Sequence, residues 1–518
     1  MAERQILWAD DEIELLRPHI MILEKQGYRV TPVTNGEDAV EKVRTEHFDI
    51  VLLDENMPGK TGLDTLEEIK AHDPGLPCVM ITKSEEESLM DQAIGGKIDD
   101  YLIKPVNPSQ IIAACKKIID RSSITQARLS QDYMRGLADI GRRLAMGADW
   151  KDFAEIHQQL CAWELELDDN PRLGFGTTLQ DQRKECNREF ARLVEREYID
   201  WITKGDGPSM SPAVVREHVM PLLRDQRKVL FCVIDCMRMD HWMVLEKSLR
   251  ELFHVTRRIQ YSILPTATPY SRNSIFAGLY PLDISRAHPE LWTRNMEDEG
   301  STNRNERQFL DHQLKLNGFE FKPEHKYIKV IDLEEAQNTL KKVDNLFNHQ
   351  FVSMVWNFVD ILAHSRSQNE ILREMVPDEA AYRSVVASWF RHSPLLKIMQ
   401  AFQEKGYHIV VTSDHGSIRV QRGARIYCDR DTSQGLRYKI GRNLRVEDER
   451  EAFLVSTPEL IRLPADNPNQ SLAFAPEDMM FLYGNNYNKY LSHYRDSFQH
   501  GGLSMEEMIL PVAILEPR

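Results

Sequence analysis

The 518-residue sequence lacks several features that would assign it to particular classes of protein. No apolar run approaches the ~20 residues that a membrane-spanning helix needs. The seven cysteines are scattered, odd in number and without Cys-x-x-Cys spacing, which predicts reduced, mostly buried thiols in a cytoplasmic protein. Residues 1–5 run directly into a predicted strand, so we expect no secretory signal. A formal net charge of −15 argues against a protein that coats nucleic acid.

The remaining composition is that of an ordinary globular protein, with 42% hydrophobic and 28% charged residues. The chain is too long for one core, and changes in residue pattern along it predict three domains. We expect an α/β domain at residues 1–122, a helical bundle at 123–207 and a second α/β domain at 208–518. No basic helix-turn-helix pattern follows residue 228, so we expect no direct DNA-binding element there.

Polar side chains follow four short apolar runs within the first 104 residues. They are Asp10, Asp11, Asp54, Thr82 and Lys104. Apolar runs bounded by polar residues are typical of buried parallel strands. We therefore predict strands near residues 4–9, 28–33, 48–53, 77–82 and 99–103, with helices between them and a last helix at 109–120.

The carboxyl ends of parallel strands line one crevice, where ligands bind. Three carboxylates that meet there cannot all stay ionised without a cation, and hard oxygen ligands in this number suit Mg²⁺. Lys104 supplies a positive charge for an incoming phosphoryl group, and Thr82 supplies a hydrogen bond to it. This part of the sequence therefore predicts a phosphoryl-accepting magnesium site.

The first ~120 residues resemble the receiver domain of bacterial response regulators. The resemblance rests on the five polar residues together with the Asp54-x-x-Met57-Pro58-Gly59 turn, the Lys104-Pro105 step and Tyr101, three residues before the lysine. It implies a flavodoxin-like fold, a cis peptide bond before Pro105, phosphorylation of Asp54, and Mg²⁺ held by Asp10, Asp11 and Asp54. It also implies a switch formed by Thr82, Tyr101 and Lys104, a sensor histidine kinase as partner, and a homodimer on phosphorylation through the surface from Tyr101 to Asp120.

Apolar residues recur at helical spacing between about residues 126 and 203. Three stripes are present: Leu137, Ile140 and Leu144; Phe153, Ile156, Leu160 and Trp163; and Phe190, Leu193, Val194, Tyr198, Trp201 and Ile202. This pattern predicts a small helical bundle that couples the two ends of the protein. Residues 204–209 are rich in glycine and polar residues and are expected to form a linker.

A second set of polar residues follows three predicted strands at 229–234, 351–358 and 408–413. Asp235 follows the first strand, Asp360 the second, and the pair Asp414-His415 the third. His364 lies four residues after Asp360, which in a helix places both on one face, and His500 comes late in the chain. Three aspartates and three histidines are enough for two catalytic zinc sites with three protein ligands each. Spacing alone leaves open the alternative that the aspartates are helix caps.

The order of these motifs resembles the alkaline phosphatase superfamily, and within it the PglZ branch. The resemblance covers about residues 228–518 and rests on the Asp235-x-x-Arg238-x-Asp240 start, the Thr-containing turn before Gly278-Leu279-Tyr280-Pro281, Asp360-x-x-x-His364, Asp414-His415-Gly416 and His500-Gly501-Gly502. It implies that Asp360, His364 and His500 bind one zinc ion, and that Asp235, Asp414 and His415 bind the other.

The same resemblance implies a threonine nucleophile at a helix N-terminus. Related diesterases use the second threonine of a Pro-Thr-x-Thr run, which favours Thr268 over Thr266, although both stay open. Ser271 stands where some diesterases carry a phosphate-binding asparagine, and Ser271, Arg272 and Asn273 are candidate substrate contacts. A threonine rather than a serine favours a phosphodiester substrate, such as an oligonucleotide or a cyclic nucleotide.

Basic residues are concentrated between residues 419 and 445 of this otherwise acidic chain. They are Arg419, Arg422, Arg425, Arg430, Arg437, Lys439, Arg442 and Arg445. Arginine forks suit phosphate groups, so the segment is either a contact for a phosphate-bearing substrate or a solvated β-arm. The sequence does not decide between the two.

Taken together, the three segments resemble PorX-type response regulators, a family associated with type IX protein secretion. The resemblance implies a phosphorylation-controlled zinc phosphodiesterase or phosphatase, with a sigma factor as a further partner. The alternative is a zinc-stabilised platform without catalytic activity, which signals by binding a sigma factor or another protein. The direction of regulation stays open.

Overall fold

The structure, a computed structural model, describes residues 4–83, 98–170, 173–292, 303–429, 432–433, 435–467 and 469–518. The chain forms two compact units, Met1–Gly136 and Leu137–Arg518. Within the described residues, no helix is both long enough and apolar enough to cross a membrane.

The first unit contains a five-stranded parallel sheet in the order β2-β1-β3-β4-β5. The strands are β1 (Arg4–Ala9), β2 (Tyr28–Val33), β3 (Ile50–Asp54), β4 (Cys78–Thr82) and β5 (Asp100–Ile103), and the helices are α1 (Arg17–Lys25), α2 (Gly36–Thr45) and α3 (Gly62–His72). Strands β3 and β4 are buried along their whole length, as expected where helices cover both faces of a parallel sheet. The predicted flavodoxin-like fold is confirmed.

The last helix of this region is longer than predicted. The sequence pattern placed its end at residue 120, but α4 runs from Pro108 to Ala145 without a break. No proline or glycine lies between residues 109 and 135, so nothing in the backbone chemistry ends the helix at 120.

Two further long helices follow, α5 (Trp150–Asp169) and α6 (Gly176–Lys204). Asp149 starts α5 with a capping box, in which its carboxylate accepts hydrogen bonds from the backbone N–H groups of Lys151 and Asp152. Gly205 ends α6 in the left-handed conformation, with φ 76°. The apolar stripes of both helices are buried, for example at Phe153 and Phe190, whose rings pack edge to face.

The second unit is built on a six-stranded mixed sheet in the order β7-β19-β10-β6-β9-β8. Strands β10, β6, β9 and β8 are parallel, whereas β19 runs antiparallel to β10 and β7. The strands are β6 (Val229–Ile234), β7 (Phe253–Tyr261), β8 (Lys326–Val330), β9 (Phe351–Trp356), β10 (His408–Thr412) and β19 (Ile509–Pro517). The parallel strands β6, β9 and β10 carry the predicted polar residues at their carboxyl ends.

Helices cover both faces of this sheet, and shorter strands extend the unit beyond it. The helices are α7 (Met220–Arg224), α8 (Met239–Leu249), α9 (Thr268–Ala277), α10 (Pro281–Ala287), α11 (Glu306–Leu316), α12 (Leu333–Lys341), α13 (Phe358–Gln368), α14 (Glu370–Met375), α15 (Glu379–His392), α16 (Pro394–Glu404), α17 (Tyr487–Tyr494) and α18 (Met505–Met508). The short strands are β11 (Ile418–Arg419), β12 (Arg422–Tyr427), β13 (Tyr438–Arg442), β14 (Arg445–Val446), β15 (Phe453–Val455), β16 (Gln470–Phe474), β17 (Met479–Tyr483) and β18 (Phe498–Gln499). All seven cysteines are free, and six of them are buried.

Candidate functional sites

The first site lies at the carboxyl ends of β1 and β3. Ligand oxygens of Asp10, Asp11 and Asp54 lie within 4.8 Å of one another. Asp10 and Asp54 are buried and Asp11 is exposed, so the cluster opens to solvent on one side. The Lys104 ammonium lies 3.0 Å from Asp10 Oδ2 and 2.9 Å from Asp54 Oδ1. The structure therefore brings four of the five predicted receiver residues into one site.

Electrostatics in this cluster favour the binding of a cation. Burial raises the pKa of Asp54, and the nearby Asp10 and Asp11 raise it further, against the opposing effect of Lys104. Burial disfavours the charged form of Lys104, but its hydrogen bonds with Asp54 and Asp10 raise its pKa overall. A divalent cation at the three carboxylates would relieve their mutual repulsion.

The remaining receiver residues lie where the sequence predicted them. Thr82 is buried at the end of β4, and Tyr101 on β5 is 40% exposed. The predicted cis peptide bond between Lys104 and Pro105 is confirmed. The roles of Thr82, Tyr101 and Lys104 as a switch stay predictions.

The second site collects the polar residues that follow the parallel strands of the large sheet. Asp235 comes directly after β6, and Asp414 and His415 follow β10. Asp360 lies in the first turn of α13, which begins two residues after β9 ends. His500 follows the short strand β18. All five are at least nine-tenths buried.

One half of this site contains Asp360, His364 and His500. His364 Nε2 lies 3.3 Å from Asp360 Oδ1 and 3.1 Å from His500 Nε2, and His500 Nε2 lies 3.8 Å from Asp360 Oδ1. The i,i+4 spacing on α13 thus places the side chains of His364 and Asp360 next to each other, and their role as zinc ligands stays a prediction. His364 is the most accessible of the three, with 44% of its side chain exposed.

The other half contains Asp235, Asp414 and His415, whose ligand atoms lie within 4.8 Å of one another. His415 also lies within this distance of Asp360 and His500, and its ring stacks on that of His500 with centroids 4.2 Å apart. His415 therefore borders both halves, which the spacing of the sequence does not reveal.

Unsatisfied buried atoms show that the site suits metal ions. Asp235 Oδ1 and Asp414 Oδ2 are buried and have no hydrogen-bond partner among the described residues. Such atoms are costly unless a ligand satisfies them. Backbone carbonyls lie 3.0 Å from His415 Nδ1 and 3.2 Å from His500 Nδ1, those of Gly416 and Thr266 respectively. A carbonyl only accepts, so each Nδ1 donates and each Nε2 carries no proton, which is the form in which it can bind a metal.

The two candidate nucleophiles differ in their surroundings. Thr268, the first residue of α9, places its Oγ1 2.9 Å from His415 Nε2. The Thr266 hydroxyl instead donates to the Gly502 carbonyl at 2.8 Å and accepts from the Gly501 N–H at 3.0 Å. Both hydrogen-bonding directions of Thr266 are therefore used within the protein, whereas Thr268 faces the metal ligands.

Arg272 lies against the carboxylates of the second half. Its Nη1 lies 2.5 Å from Asp235 Oδ2 and 3.7 Å from Asp414 Oδ2, and only 1% of the residue is exposed. Burial raises the pKa of Asp235 well above its usual range, and raises that of Asp414 to about 6, although Arg272 lowers both. Without a metal, the arginine compensates only part of the negative charge.

The structure shows a further buried partner that the sequence pattern does not reveal. Glu306, on α11, accepts a hydrogen bond from Arg272 Nε at 2.6 Å and another from the Tyr327 hydroxyl. Glu306 and Asp235 thus hold the Arg272 guanidinium from two sides. No sequence motif marks Glu306, because a lone glutamate in an amphipathic helix is ordinarily exposed.

The three candidate substrate contacts are buried and engaged within the protein. The Ser271 hydroxyl donates to the Ala267 carbonyl at 2.9 Å, and the Asn273 amide donates to the Pro269 carbonyl at 2.9 Å. Both are contacts within the first turns of α9, and Arg272 is held by carboxylates. The contacts of Ser271, Arg272 and Asn273 therefore offer no support for a role in substrate binding.

The basic segment between residues 419 and 445 forms strands and pairs largely with acids. Arg419 contacts Asp496 at 2.7 Å, and the buried Arg437 contacts Glu507 at 2.5 Å. Arg422, Arg425 and Arg442 form ion pairs as well, and Arg430 lies outside the described residues. These contacts favour the β-arm interpretation over a phosphate-binding one.

Comparisons with known proteins agree with this architecture. Residues 214–515 match the family described as "BREX system PglZ alkaline phosphatase-like domain". The chain belongs to the PglZ family. Residues 6–116 match "Response regulator receiver domain", and residues 123–202, between the receiver and the PglZ domain, match "PorX response regulator linker domain". This arrangement is that of a PorX-type response regulator, as the sequence predicted.

Individual relatives match part of the chain. The transcriptional regulatory protein ResD of Bacillus subtilis is 32% identical over 123 residues, which is 24% of this chain and 51% of the relative. The alkaline phosphatase synthesis transcriptional regulatory protein PhoP of the same organism is 32% identical over 169 residues, or 32% of this chain and 70% of the relative. The chain thus spans about half of ResD and 70% of PhoP.

Among solved structures, a CheY-like receiver domain protein from Methanospirillum hungatei is 27% identical, with a TM-score of 0.23, and the match covers 24% of this chain and 99% of that protein.

Receiver domains bind Mg²⁺ and receive phosphoryl groups from histidine kinases, and alkaline phosphatase-like domains usually use metal ions. The protein is therefore a two-component response regulator that joins a receiver, a PorX-type linker and a PglZ domain.

Proposed function

We propose that the protein is a response regulator, phosphorylated on Asp54, whose output is a zinc-dependent phosphodiesterase or phosphatase. One observation carries the catalytic part of this proposal. The Thr268 hydroxyl lies 2.9 Å from His415 Nε2, which in turn lies beside buried oxygens of Asp235 and Asp414 that have no hydrogen-bond partner among the described residues. A hydroxyl nucleophile next to unsatisfied metal ligands is the arrangement that phosphoryl transfer requires.

The residues present fit two metal ions. Asp360, His364 and His500 would hold one, and Asp235, Asp414 and His415 the other, with His415 at the border between them. Oxygen and nitrogen ligands of this kind suit zinc. Zinc, when bound, would act as a Lewis acid on the phosphoryl group and on the attacking hydroxyl.

The chain itself would orient the reacting groups. Thr268 begins α9, so the helix N-terminus directs its positive end towards a phosphoryl group placed there. The Gly416 carbonyl fixes the orientation of the His415 ring through Nδ1. Glu306 and Asp235 hold Arg272 in place, so that its charge stabilises the ligands rather than contacting solvent.

The test is turnover of an aryl phosphodiester together with metal analysis of the same preparations. Thr268→Val removes the hydroxyl and nearly preserves side-chain volume. We expect it to retain zinc and to lose turnover by at least about a thousandfold, because no second hydroxyl is held in the same place. Thr266→Val is the matched comparison, and we expect a smaller loss, since the Thr266 hydroxyl binds Gly501 and Gly502 instead.

Full turnover in Thr268→Val would contradict the assignment of the nucleophile. A larger loss in Thr266→Val, with zinc retained, would transfer the role to Thr266. Wild-type protein with both zinc ions and no turnover of either an aryl diester or an aryl monoester would exclude the catalytic function.

A second function is favoured by the position of Arg272. Its guanidinium lies 2.5 Å from Asp235 Oδ2 and 3.7 Å from Asp414 Oδ2, and so reduces the negative charge that is left for a second metal ion. A centre that holds one zinc and an arginine would serve as a stabilised binding platform, and the output would be contact with a sigma factor or another protein. One zinc per chain, together with sigma-factor binding that survives Thr268→Val, would support this function.

The PorX-type architecture supports a proposal for the cellular role. We propose that a sensor histidine kinase phosphorylates the protein in the cytoplasm, that phosphorylation promotes a homodimer, and that the output controls type IX secretion with a sigma factor as partner. We further propose domain boundaries of 1–122, 123–207 and 208–518. Deletion of the gene in its own organism should reduce secretion of type IX cargo, and an unchanged secreted fraction would contradict the proposed role.

A further inference from the structure

The linker helix α6 contacts a short helix of the PglZ domain that lies close to the metal ligands in the chain. Asn187, on α6, accepts a hydrogen bond from the Met505 N–H at 2.8 Å and donates to Glu506 Oε2 at 2.9 Å. Arg183, one turn earlier, donates to Glu506 Oε1 at 2.7 Å. Asn187 and Glu506 are buried, at 3% and 5% exposure. These contacts fix the start of α18.

The next residue of α18 holds the loop that carries His500. Glu507 Oε1 accepts a hydrogen bond from the Gly502 N–H at 2.9 Å, two residues after His500. Its other oxygen accepts from the Ser504 hydroxyl at 2.7 Å, and Arg437 pairs with the same carboxylate. Glu507 is fully buried, so this loop is held by charged hydrogen bonds in a dry environment.

The backbone of α18 also holds the loop that carries His415. The Gly416 N–H donates to the Glu507 carbonyl at 3.1 Å. A Cβ at Gly416 would lie 1.9 Å from the Glu506 carbonyl oxygen, which no side chain could tolerate. Residues 506 and 507 therefore touch the loops of two different histidine ligands, and α6 touches residues 505 and 506.

We propose that Asn187 and Arg183 of the linker are positioning residues for the metal centre. They act through Glu506 and Glu507 on the loops that carry His415 and His500. This inference rests on the proposed metal site and assigns to the linker a direct influence on it. Because the linker lies between the receiver and the PglZ domain in the chain, the same contacts give it a means of regulating that site.

A matched pair of linker contacts allows the inference to be tested in the full-length protein. Asn187→Leu removes the hydrogen bonds of Asn187 to Met505 and to both oxygens of Glu506 at similar volume. Asp168→Asn weakens a different linker contact, the 2.7 Å ion pair between Asp168 and Arg383, which touches none of residues 505–507 directly and connects to Arg183 through Glu164. We expect Asn187→Leu to weaken zinc binding at least tenfold, measured by competition with a chromophoric chelator, and Asp168→Asn to leave it within twofold of wild type.

A rescue experiment separates positioning from general damage. Asn187→Asp keeps the acceptor for the Met505 N–H but places a carboxylate against Glu506, and we expect a larger loss of zinc affinity than in Asn187→Leu. Adding Glu506→Gln restores a donor opposite that carboxylate. We expect the double variant to recover zinc affinity to within threefold of wild type, while the melting temperatures of the zinc-free single and double variants need not follow that order.

The outcomes distinguish this inference from the proposed function. Zinc affinity that is equal in wild type and both Asn187 variants would overturn the inference, even if the wild type turns over a diester. An equal loss in Asp168→Asn would also overturn it, because the effect would then be general destabilisation. Zinc-loaded wild type without turnover would overturn the catalytic function alone, and a wild type that holds no zinc would overturn both.

Discussion

The receiver site and the PglZ site both gather three carboxylates at the carboxyl ends of parallel strands, yet they differ in access to water. In the receiver, Asp11 is exposed and the compensating cation is Lys104, whose side chain is 15% exposed. In the PglZ domain, all three aspartates are buried and the compensating cation is Arg272, at 1% exposure. The repulsion among three carboxylates is thus compensated in contact with solvent in the receiver and away from solvent in the PglZ domain.

This difference predicts different behaviour towards metals. A lysine is a flexible point charge that can move aside, whereas the planar guanidinium of an arginine is fixed by several hydrogen bonds. The open receiver cluster suits a metal ion that binds reversibly and a phosphoryl group that is added and removed. The buried cluster suits metal ions that stay bound, because their removal leaves buried carboxylates whose charge Arg272 compensates only in part.

The largest expected effect concerns the receiver. Asp54→Ala should abolish phosphorylation by acetyl phosphate, because Asp10 and Asp11 remain as metal ligands but no acceptor carboxylate is left. The protein should stay folded, since the change removes one member of a repulsive cluster. Phosphate-affinity electrophoresis in Mg²⁺ checks this. Mg²⁺-dependent phosphorylation at the wild-type level in this variant would show that Asp54 is not the acceptor.

The contrast in metal retention is the next largest effect. After desalting, the protein should keep up to two zinc ions and lose its Mg²⁺, as measured by mass spectrometry of the metals. His500→Ala and Asp235→Asn should each lose one zinc ion, because two remaining ligands hold zinc weakly. His364→Ala should cost less than His500→Ala, since His364 is the more exposed ligand. Retention of Mg²⁺ and loss of zinc after desalting would contradict the proposed difference in metal retention between the receiver site and the PglZ site.

Acid should affect the two units differently. Burial, and to a smaller extent the charge of Arg183, lowers the pKa of His157 on α5 to about 4, from 6.5. Between pH 6.5 and about 4, the unfolded chain therefore binds a proton at His157 that the folded chain does not bind. The stability that is present above pH 6.5 is lost as the pH falls towards 4. The loss from this residue should reach about 3 kcal/mol.

Calorimetry between pH 4.5 and 7 measures this effect. Mg²⁺ and beryllofluoride should raise the temperature of one unfolding transition, and that transition is then assigned to the receiver. His157→Gln should flatten the pH dependence of the other transition, with the exposed His47→Gln as the control. An unchanged pH slope in His157→Gln would show that His157 does not titrate in this way.

The smallest expected effect concerns the oligomeric state, which should change from monomer to dimer. We expect phosphorylation of the receiver to shift a two-state surface around β5 and the start of α4, where Tyr101 is exposed. Light scattering with beryllofluoride and Mg²⁺ should show a dimer, and Asp54→Ala should stay monomeric under the same conditions. A constant monomer mass over a wide concentration range would contradict phosphorylation-dependent dimerisation.

Much of the framework could be predicted from local sequence, because a buried parallel strand and the polar residue that ends it are adjacent in the chain. The runs before Asp54, Asp235 and Asp414 illustrate this, and each corresponds to an observed strand. The continuity of α4 across residue 120 was not predicted, because the resemblance to receivers ended there and the helical pattern that follows was assigned to a separate bundle.

Contacts between distant segments were not accessible in the same way. The pairing of Arg272 with Asp235 and Glu306, and that of Arg183 with Glu506, joins residues far apart in sequence. Isolated arginines and glutamates are ordinarily surface residues, so no pattern distinguishes these buried ones. The border position of His415 is likewise a property of how β10 and β18 meet their neighbours rather than of any spacing.

The contact between Asn187 and Glu506 also bears on how such proteins can be recombined. A PglZ domain transplanted behind a foreign receiver would leave Glu506 buried without its partners unless the linker helix travelled with it. Inheritance of the linker and the PglZ domain together would then be favoured, whereas receivers could be exchanged more freely. Designed chimaeras of this architecture should therefore be joined upstream of α5, so that Arg183 and Asn187 remain with the PglZ domain whose helix they hold.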